Sequence, residues 1–281
     1  MGACTSAGIE WSHDNGEFIR DWEEWRTERT RALNAPDGPP ALVATYWLVH
    51  TDVVPGVPGT WSETDDGVRL ALPQGVNALV GDIHEHGEVA ALAPGEVLGP
   101  RLRFGPITAQ VVKRQGQTGV RLFDRSRGRR LQSLGTYPPD PSFELDGTYE
   151  PASKASPVTY SFALETAPRT VAVPGSVHFS LDGRDFVVDP LLDDGSLLLV
   201  FADHTTGTGT RPPGRFLLIA SPADGLARPG KVSLDFNRAY LPPCAFSDEF
   251  NCPLPPSHHR FDLAVTAGET WPQLADPAPA K

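Results

Sequence analysis

Apolar side chains recur at three- and four-residue spacings between residues 14 and 34, a pattern that predicts an amphipathic α-helix. Asp14 or Asn15 would cap its first turn. Because paired tryptophans at helical spacing are usually buried, we expect this helix to dock on a sheet. The predicted apolar face is formed by Phe18, Ile19, Trp22, Trp25 and Leu33.

After residue 37 the pattern changes to short apolar runs separated by turns such as PGVPG and DDG, which is typical of antiparallel strands. In SLDGRD, residues 180–185, the Asp-Gly pair predicts a two-residue hairpin. The predicted strands fall at 41–49, 67–72, 101–114, 119–124, 158–164, 169–188, 196–203, 215–221, 231–237 and 261–268.

These elements predict a mainly all-β fold, an antiparallel β-sandwich or barrel in two coupled subdomains with an N-terminal amphipathic helix. Residues 1–37 would carry the helix that packs on the β core, 38–135 the first β subdomain and 136–281 the second. The 27 glycines and 29 prolines in 281 residues agree with many turns and few long helices.

Charge narrows the classes of partner. The formal net charge is −11, and no basic stripe is present, so nucleic acid is not an expected partner. No stretch approaches the roughly 20 apolar residues of a membrane span, and no secretion signal is recognisable, so we expect a cytoplasmic protein without a membrane partner. The composition, rich in Arg, Ala, Pro and Gly, suggests a bacterial source. No cofactor and no oligomeric state is indicated.

Carboxylates at strand ends are the strongest candidates for chemistry. Asp203 ends the apolar run SLLLVFAD, Asp235 ends KVSLD, and Arg215 begins RFLL. If these strands are neighbours, the two carboxylates and the guanidinium meet at one rim, where they would do acid/base chemistry or hold a polar ligand. Alternatively, Arg215 neutralises a buried Asp, and Asp235 caps a turn. Three further side chains are placed to join this rim: Asn237, Tyr240 and Glu269.

Cys244 and Cys252 allow four interpretations. Seven residues separate them, which is wider than the usual zinc spacing, so no metal site is predicted, although His258 and His259 together would complete a set of four ligands. A disulfide is disfavoured in a reduced compartment. Cys244 as a nucleophile needs a base such as His204, His258 or His259. Two thiols packed beneath proline-braced loops is the favoured interpretation.

Several motifs together resemble one family. WRTERTRAL (25–33), VHFSLDG, FADHTTGTGTRPPGRFL, AGE and above all DFNRAYLPPCAFSDEFNCPLPP (235–256, hereafter the Pro/Cys segment) are similar to the family catalogued as domain of unknown function 1684. That family has no established activity, so the resemblance implies only where its motifs lie. Leu241 and His259 stand where the family usually has Asn. In its short strands and glycine turns, the first half also resembles forkhead-associated sandwiches, but the loop residues that bind phosphothreonine there have no clear match.

Two functions remain open. The first is a site for a small polar metabolite at the strand rim of the second subdomain, with or without carboxylate acid/base chemistry. Asp203 and Asp235 would be its catalytic residues, and its ligand-binding residues would be Arg215, Asn237, Tyr240, Glu269, Cys244 and His259. The alternative is a non-catalytic interaction or scaffold protein in which the Pro/Cys segment is purely structural. Convergence of these side chains on a pocket would favour the first.

Overall fold

The computed structural model describes residues 15–49, 51–114, 117–124, 126 and 128–275, without the side chains of 15 and 153–156. It opens with helix α1, Asn15–Leu33. The strands of the first half are β1 Leu42–Trp47, β2 Thr51–Asp52, β3 Thr60–Thr64, β4 Gly67–Ala71, β5 Asn77–Val80, β6 Ile83–His86, β7 Glu88–Leu92, β8 Leu98–Phe104, β9 Ile107–Arg114, β10 Gln117–Asp124 and β11 Arg130–Thr136. Those of the second half are β12 Glu144–Tyr160, β13 Arg169–Leu181, β14 Arg184–Val188, β15 Leu191–Asp193, β16 Ser196–Phe201, β17 Arg215–Ile219, β18 Gly230–Asp235 and β19 Glu269–Ala275. Short 3-10 helices cover Pro39–Ala41, Pro141–Phe143, Phe236–Arg238, Pro243–Ala245 and Ser257–His259.

Two sheets form the first half. One has the strand order β1-β10-β9-β8-β5-β6 and the other β2-β3-β4-β7, and neighbouring strands are antiparallel. Alternate side chains of both sheets enter one core, in which Trp61, Leu70 and Leu102 are fully buried.

The second half repeats this arrangement with other strands. A sheet of order β14-β13-β12-β18 and a sheet of order β15-β16-β17 enclose a core that includes Tyr149, Phe201 and Phe236. The predicted hairpin in SLDGRD is confirmed, because Asp182 and Gly183 have φ angles of 52° and 70° between β13 and β14. The predicted mainly all-β fold is therefore confirmed.

The two halves are joined by packing and by strand pairing. A third apolar cluster combines Leu42 and Phe123 of the first half with Tyr160 and Phe216 of the second. Strand β11, which falls within the predicted first subdomain, pairs with β19 near the end of the described chain. The subdomains are thus in contact, while their boundaries stay a prediction.

The predicted strand over 261–268 is wrong. This segment bends at residues 262, 263 and 268 and joins no sheet, and its carbonyl groups accept hydrogen bonds from other donors. The Leu263 carbonyl accepts the backbone N–H of His204, and the carbonyls of Val265 and Ala267 accept from the Arg215 guanidinium. An apolar run predicts burial, and the arginine supplies the hydrogen bonds that a neighbouring strand would otherwise give.

Helix α1 contacts the Pro/Cys segment, and the cluster around Leu33 also includes residues of β11 and β19, whereas the sequence predicted docking on a sheet alone. Trp22 is buried, and its indole Nε1–H donates to the carbonyl of Asn237 at 3.1 Å. Leu33 packs with Leu241 and Phe246. Asp14, one of the two predicted caps, lies outside the described residues, and Asn15 is the first residue of the helix.

Among the residues that the structure describes, no helix combines the length and the apolar character needed to cross a membrane.

Replacing Trp22 with Phe tests the docking of α1. The variant keeps an aromatic ring but leaves the Asn237 carbonyl without its donor, so we expect the free energy of unfolding to fall by about 1–3 kcal/mol. Urea denaturation followed by circular dichroism measures the loss. Trp25→Phe is the matched control, because Trp25 is only half-buried on the same helix. Equal losses in the two variants would contradict the proposed contact.

Candidate functional site

The predicted site residues lie in separate clusters around the Pro/Cys segment. In the first, Asp203 and Arg215 meet because β16 and β17 pair with Phe201 opposite Arg215. The condition that these strands are neighbours is therefore met for β16 and β17, whereas β18, which carries Asp235, belongs to the other sheet. Asp203 Oδ2 lies 2.7 Å from an Arg215 terminal nitrogen, and both side chains are 0% exposed. Asp203 Oδ1 accepts the backbone N–H groups of Thr205 and Val265.

The Arg215 side chain is fully buried in the protein. Its terminal nitrogens donate to Asp203 and to the carbonyls of Val265, at 2.8 Å, and Ala267. Its Nε is buried without a hydrogen-bond partner among the described residues. Burial lowers the pKa of Arg215, and the attraction of Asp203 opposes that shift. This arrangement corresponds to the alternative in which Arg215 neutralises a buried Asp.

Asp235 belongs to a second cluster, because β18 pairs with β12. Its Oδ1 accepts from the backbone N–H and the side-chain amide of Asn237, at 3.0 and 2.9 Å. Arg238 Nε lies 3.0 Å from its Oδ2, as an ion pair outside hydrogen-bond geometry. Asn237, fully buried, also bonds both backbone groups of Asp140. Asp235 thus caps the turn, as the second interpretation of this residue predicted.

Glu269 and Tyr240 form a third cluster around Arg29, which reaches them from α1. Arg29 Nε lies 3.0 Å from Glu269 Oε1, and an Arg29 terminal nitrogen donates to the Leu241 carbonyl at 2.9 Å. Glu269 Oε2 accepts the Leu241 backbone N–H at 2.6 Å. The guanidinium lies 4.9 Å from the centre of the Tyr240 ring. Burial raises the pKa of Tyr240 to about 12.

Sequence reasoning missed two arginines of α1 as partners of the site. Arg26 donates to the Leu134 carbonyl at 2.9 Å, and Arg29 binds Glu269 and Leu241. Both residues stand in the WRTERTRAL motif, which was the available signal. We call the contacts of Trp22, Arg26 and Arg29 the helix clamp.

The two cysteines are free thiols in contact with each other. Cys252 is buried, Cys244 is half-buried, and the Cys244 backbone N–H donates to Cys252 Sγ at 3.3 Å. Their thiol–thiol hydrogen bond lowers the pKa of Cys244 and raises that of Cys252. The three histidines considered as bases have other partners: His204 meets Asp262, His258 meets Asp189, and His259 bonds backbone groups.

His259 is fully buried and uses both ring nitrogens. Its Nδ1 lies 3.0 Å from the Val200 carbonyl, and its Nε2 accepts the backbone N–H of Asp189 at 2.9 Å. These two bonds require the neutral ring with its proton on Nδ1. Burial and, to a smaller extent, charge repulsion from neighbouring His258 lower the pKa of His259 to about 4.

Asp189, His258 and His259 bring three possible metal-ligand atoms within 4.8 Å of one another. A metal on His259 Nε2 would displace the Asp189 backbone N–H that this nitrogen accepts. His258 Nε2 is likewise bonded to Asp189 Oδ2 at 3.0 Å. The group is a hydrogen-bonded cluster that joins the 3-10 helix Ser257–His259, directly after the Pro/Cys segment, to Asp189, the residue that follows β14.

Three cavities stand out on the described surface, and other residues line them. One of about 480 Å³ lies over β13 and β14 beside Asp146, His178 and Lys231. Another of about 420 Å³ lies among acidic turns near Glu63 and Glu96. The widest, of about 620 Å³, is lined by Arg101, Arg103 and Arg130. None of these three cavities is lined by a predicted site residue. The predicted catalytic and ligand-binding roles therefore stay predictions.

Removing one partner of the buried ion pair should cost more than removing both. Arg215→Met leaves the Asp203 carboxylate buried and unpaired, so we expect a loss of about 3–5 kcal/mol in the free energy of unfolding. Asp203→Asn with Arg215→Met should recover at least about 1 kcal/mol of that loss, since no charge is left unpaired. Guanidinium denaturation of Arg215→Met, of Asp203→Asn and of the double variant completes the cycle, and strictly additive losses would contradict coupling.

His259 should make stability depend on pH. The folded pKa of about 4 lies below the unfolded value of about 6.5, so the fold favours the neutral ring. This contribution is complete above pH 6.5 and decreases as the pH falls toward 4, by about 3 kcal/mol in all. His259→Asn keeps one donor and one acceptor and does not titrate, so its stability should fall less over this range. Exposed His86→Gln is the control, and a slope unchanged in His259→Asn would refute the assignment.

Comparison with known proteins identifies the family of this chain. No curated protein matches the chain. A solution NMR structure of an uncharacterized protein from gene locus rrnAC0354 of Haloarcula marismortui is 29% identical, with 50% of this chain and 76% of that chain covered and a TM-score of 0.40. The model of the family described as "Protein of unknown function (DUF1684)" matches residues 129–270, which include the Pro/Cys segment, Arg215 and Glu269. The chain belongs to the DUF1684 family.

Proposed function

We propose that this protein is a non-catalytic interaction protein in which the Pro/Cys segment is structural. One observation carries the proposal: Asp203, Asp235 and Glu269 are each already paired with other groups of the protein. Each of these carboxylates already binds an arginine and at least one backbone N–H of the protein. The lone pairs that a substrate or ligand would need are used to hold the chain in place.

The chemistry of general acid/base catalysis supports this choice. A catalytic carboxylate must come within hydrogen-bond reach of a substrate proton, about 2.6–3.2 Å. Asp203 is 0% exposed beneath the segment 260–268, and Glu269 is covered by α1 through Arg29. For either group to react, the segment or the helix would have to leave its position, which would break the contacts that define the fold.

An interaction role also suits the charge of the surface. The chain carries 35 acidic and 24 basic side chains, and its most buried charged groups are paired internally. The excess negative charge therefore lies mainly on the outside, where it favours partners with a basic surface.

A small polar ligand at the rim is the second candidate. It is favoured by one observation, that the Asp235 side chain is 19% exposed. A ligand here would contact Asp235 Oδ2 in place of Arg238, which is itself 42% exposed and able to move aside.

A thermal-shift screen of polar metabolites and divalent metals separates the two. The wild type is compared with Asp235→Asn, which removes the charge and keeps the shape, and with Asp65→Asn, an exposed aspartate of the first half. We expect Asp235→Asn to melt about 2–4 °C lower from the weakened cap. We also expect every compound to shift all three proteins equally. A compound that stabilises the wild type and Asp65→Asn but not Asp235→Asn would overturn the proposal and favour the ligand site.

A further inference from the structure

The largest of the three cavities is lined by arginines, although the chain as a whole is acidic. It measures about 620 Å³ and lies where the turn after α1, the first β half and the start of β11 meet. Its charged and polar lining consists of Asp37, Arg101, Arg103, Thr108, Ser126 and Arg130. None of these residues belongs to the helix clamp or to the ion pair of Arg215.

The backbone directs two of the arginines into the cavity side by side. Arg101 and Arg103 are two residues apart on β8, so they share one face of the strand, while Leu102 between them is buried in the core of the other face. In the ladder Arg103 lies opposite Thr108 of β9, which also lines the cavity. Arg130 begins β11 and reaches the cavity from another strand.

The charges in this lining do not balance. Asp37 is its one carboxylate, and Asp37 is bound to Arg101 Nε at 2.8 Å. Asp37 is nearly buried, whereas half of the Arg101 side chain is exposed, so the ion pair tethers Arg101 at the wall. Across the described ranges, Arg103 and Arg130 have no ion-pair partner, which leaves two guanidinium groups facing the same space.

We propose that this cavity binds a small, multiply charged anion that carries phosphate or carboxylate groups. Guanidinium groups bind such anions through pairs of parallel N–H···O bonds, and arginines on different strands can hold different oxygens of one ligand. Ligand pockets of about 300–1,000 Å³ between structural units are common, and this volume lies within that range. The inference stands apart from the proposed interaction role, since it uses none of the residues of the Pro/Cys segment.

Isothermal titration calorimetry of the full chain with pyrophosphate and, separately, with citrate tests the proposal. Arg103→Gln with Arg130→Gln removes the two unpaired guanidinium groups. Arg20→Gln with Arg228→Gln is the control, because both side chains are exposed outside the cavity and the net charge changes equally. Asp37→Asn removes the one carboxylate of the lining. Circular dichroism confirms that each variant is folded.

The wild type should bind at least one probe, and the Arg103→Gln/Arg130→Gln variant at least about tenfold more weakly, or by about 1.4 kcal/mol, since it loses the charged hydrogen bonds of two guanidinium groups. The control should stay within about twofold of the wild type, as expected for distant screened charges. Asp37→Asn should bind about threefold or more tightly, because Arg101 loses its competing carboxylate.

Preference for pyrophosphate would assign a phosphate-bearing ligand, and preference for citrate a carboxylate-bearing one. The proposal is overturned if the wild type binds neither probe at millimolar concentration. It is also overturned if the control variant loses as much affinity as the cavity variant, because the attraction would then come from overall charge alone.

Discussion

The fully buried guanidinium of Arg215 is the group on which the second half of this protein depends. It neutralises Asp203 and holds the carbonyls of Val265 and Ala267, so one side chain joins β16, β17 and the segment 260–268. A buried ion pair contributes little net stability, because desolvation offsets attraction. Its consequence here is geometric: the segment takes its place beside the sheet without forming a strand.

The position of the segment 260–268 also determines how α1 is held. Directly after Ala267, Gly268 has a φ of 78°, and a Cβ there would lie 2.5 Å from the Ala239 carbonyl oxygen. Only glycine allows the chain to turn so close to the Pro/Cys segment. The turn presents Glu269 to Arg29 of α1 and to the Leu241 N–H. A buried arginine thus positions a glutamate, and the glutamate positions a helix.

The sequence predicted the parts that depend on local pattern. Apolar runs predicted β1, β4, β8, β9, β10, β13, β14, β16, β17 and β18, and Asp182-Gly183 predicted the hairpin, because these signals act over a few residues. The strands β2, β3, β5, β6, β7, β11, β15 and β19 and most of β12 were not predicted. The site depends on long-range partners. The sequence named Asp203 and Arg215 as partners only on the condition that their strands are neighbours, and the pairing of Arg29 with Glu269, 240 residues apart, has no periodic signal. The strand prediction for 261–268 failed for the same reason, since hydropathy records burial and not which group satisfies the backbone.

The same contacts explain why two departures from the family pattern are compatible with this fold. The resemblance to the family implies Asn at the positions of Leu241 and His259. Leu241 contributes its backbone N–H to Glu269 and its carbonyl to Arg29, so those bonds do not depend on its side chain, which packs against Leu33. Neutral His259 offers one donor to Val200 and one acceptor to Asp189, and an Asn amide offers the same pair of functions. Both positions therefore keep the bonds that hold the Pro/Cys segment and the 3-10 helix after it, and the exchange of side chains there follows from packing and hydrogen bonding without requiring a change of ligand.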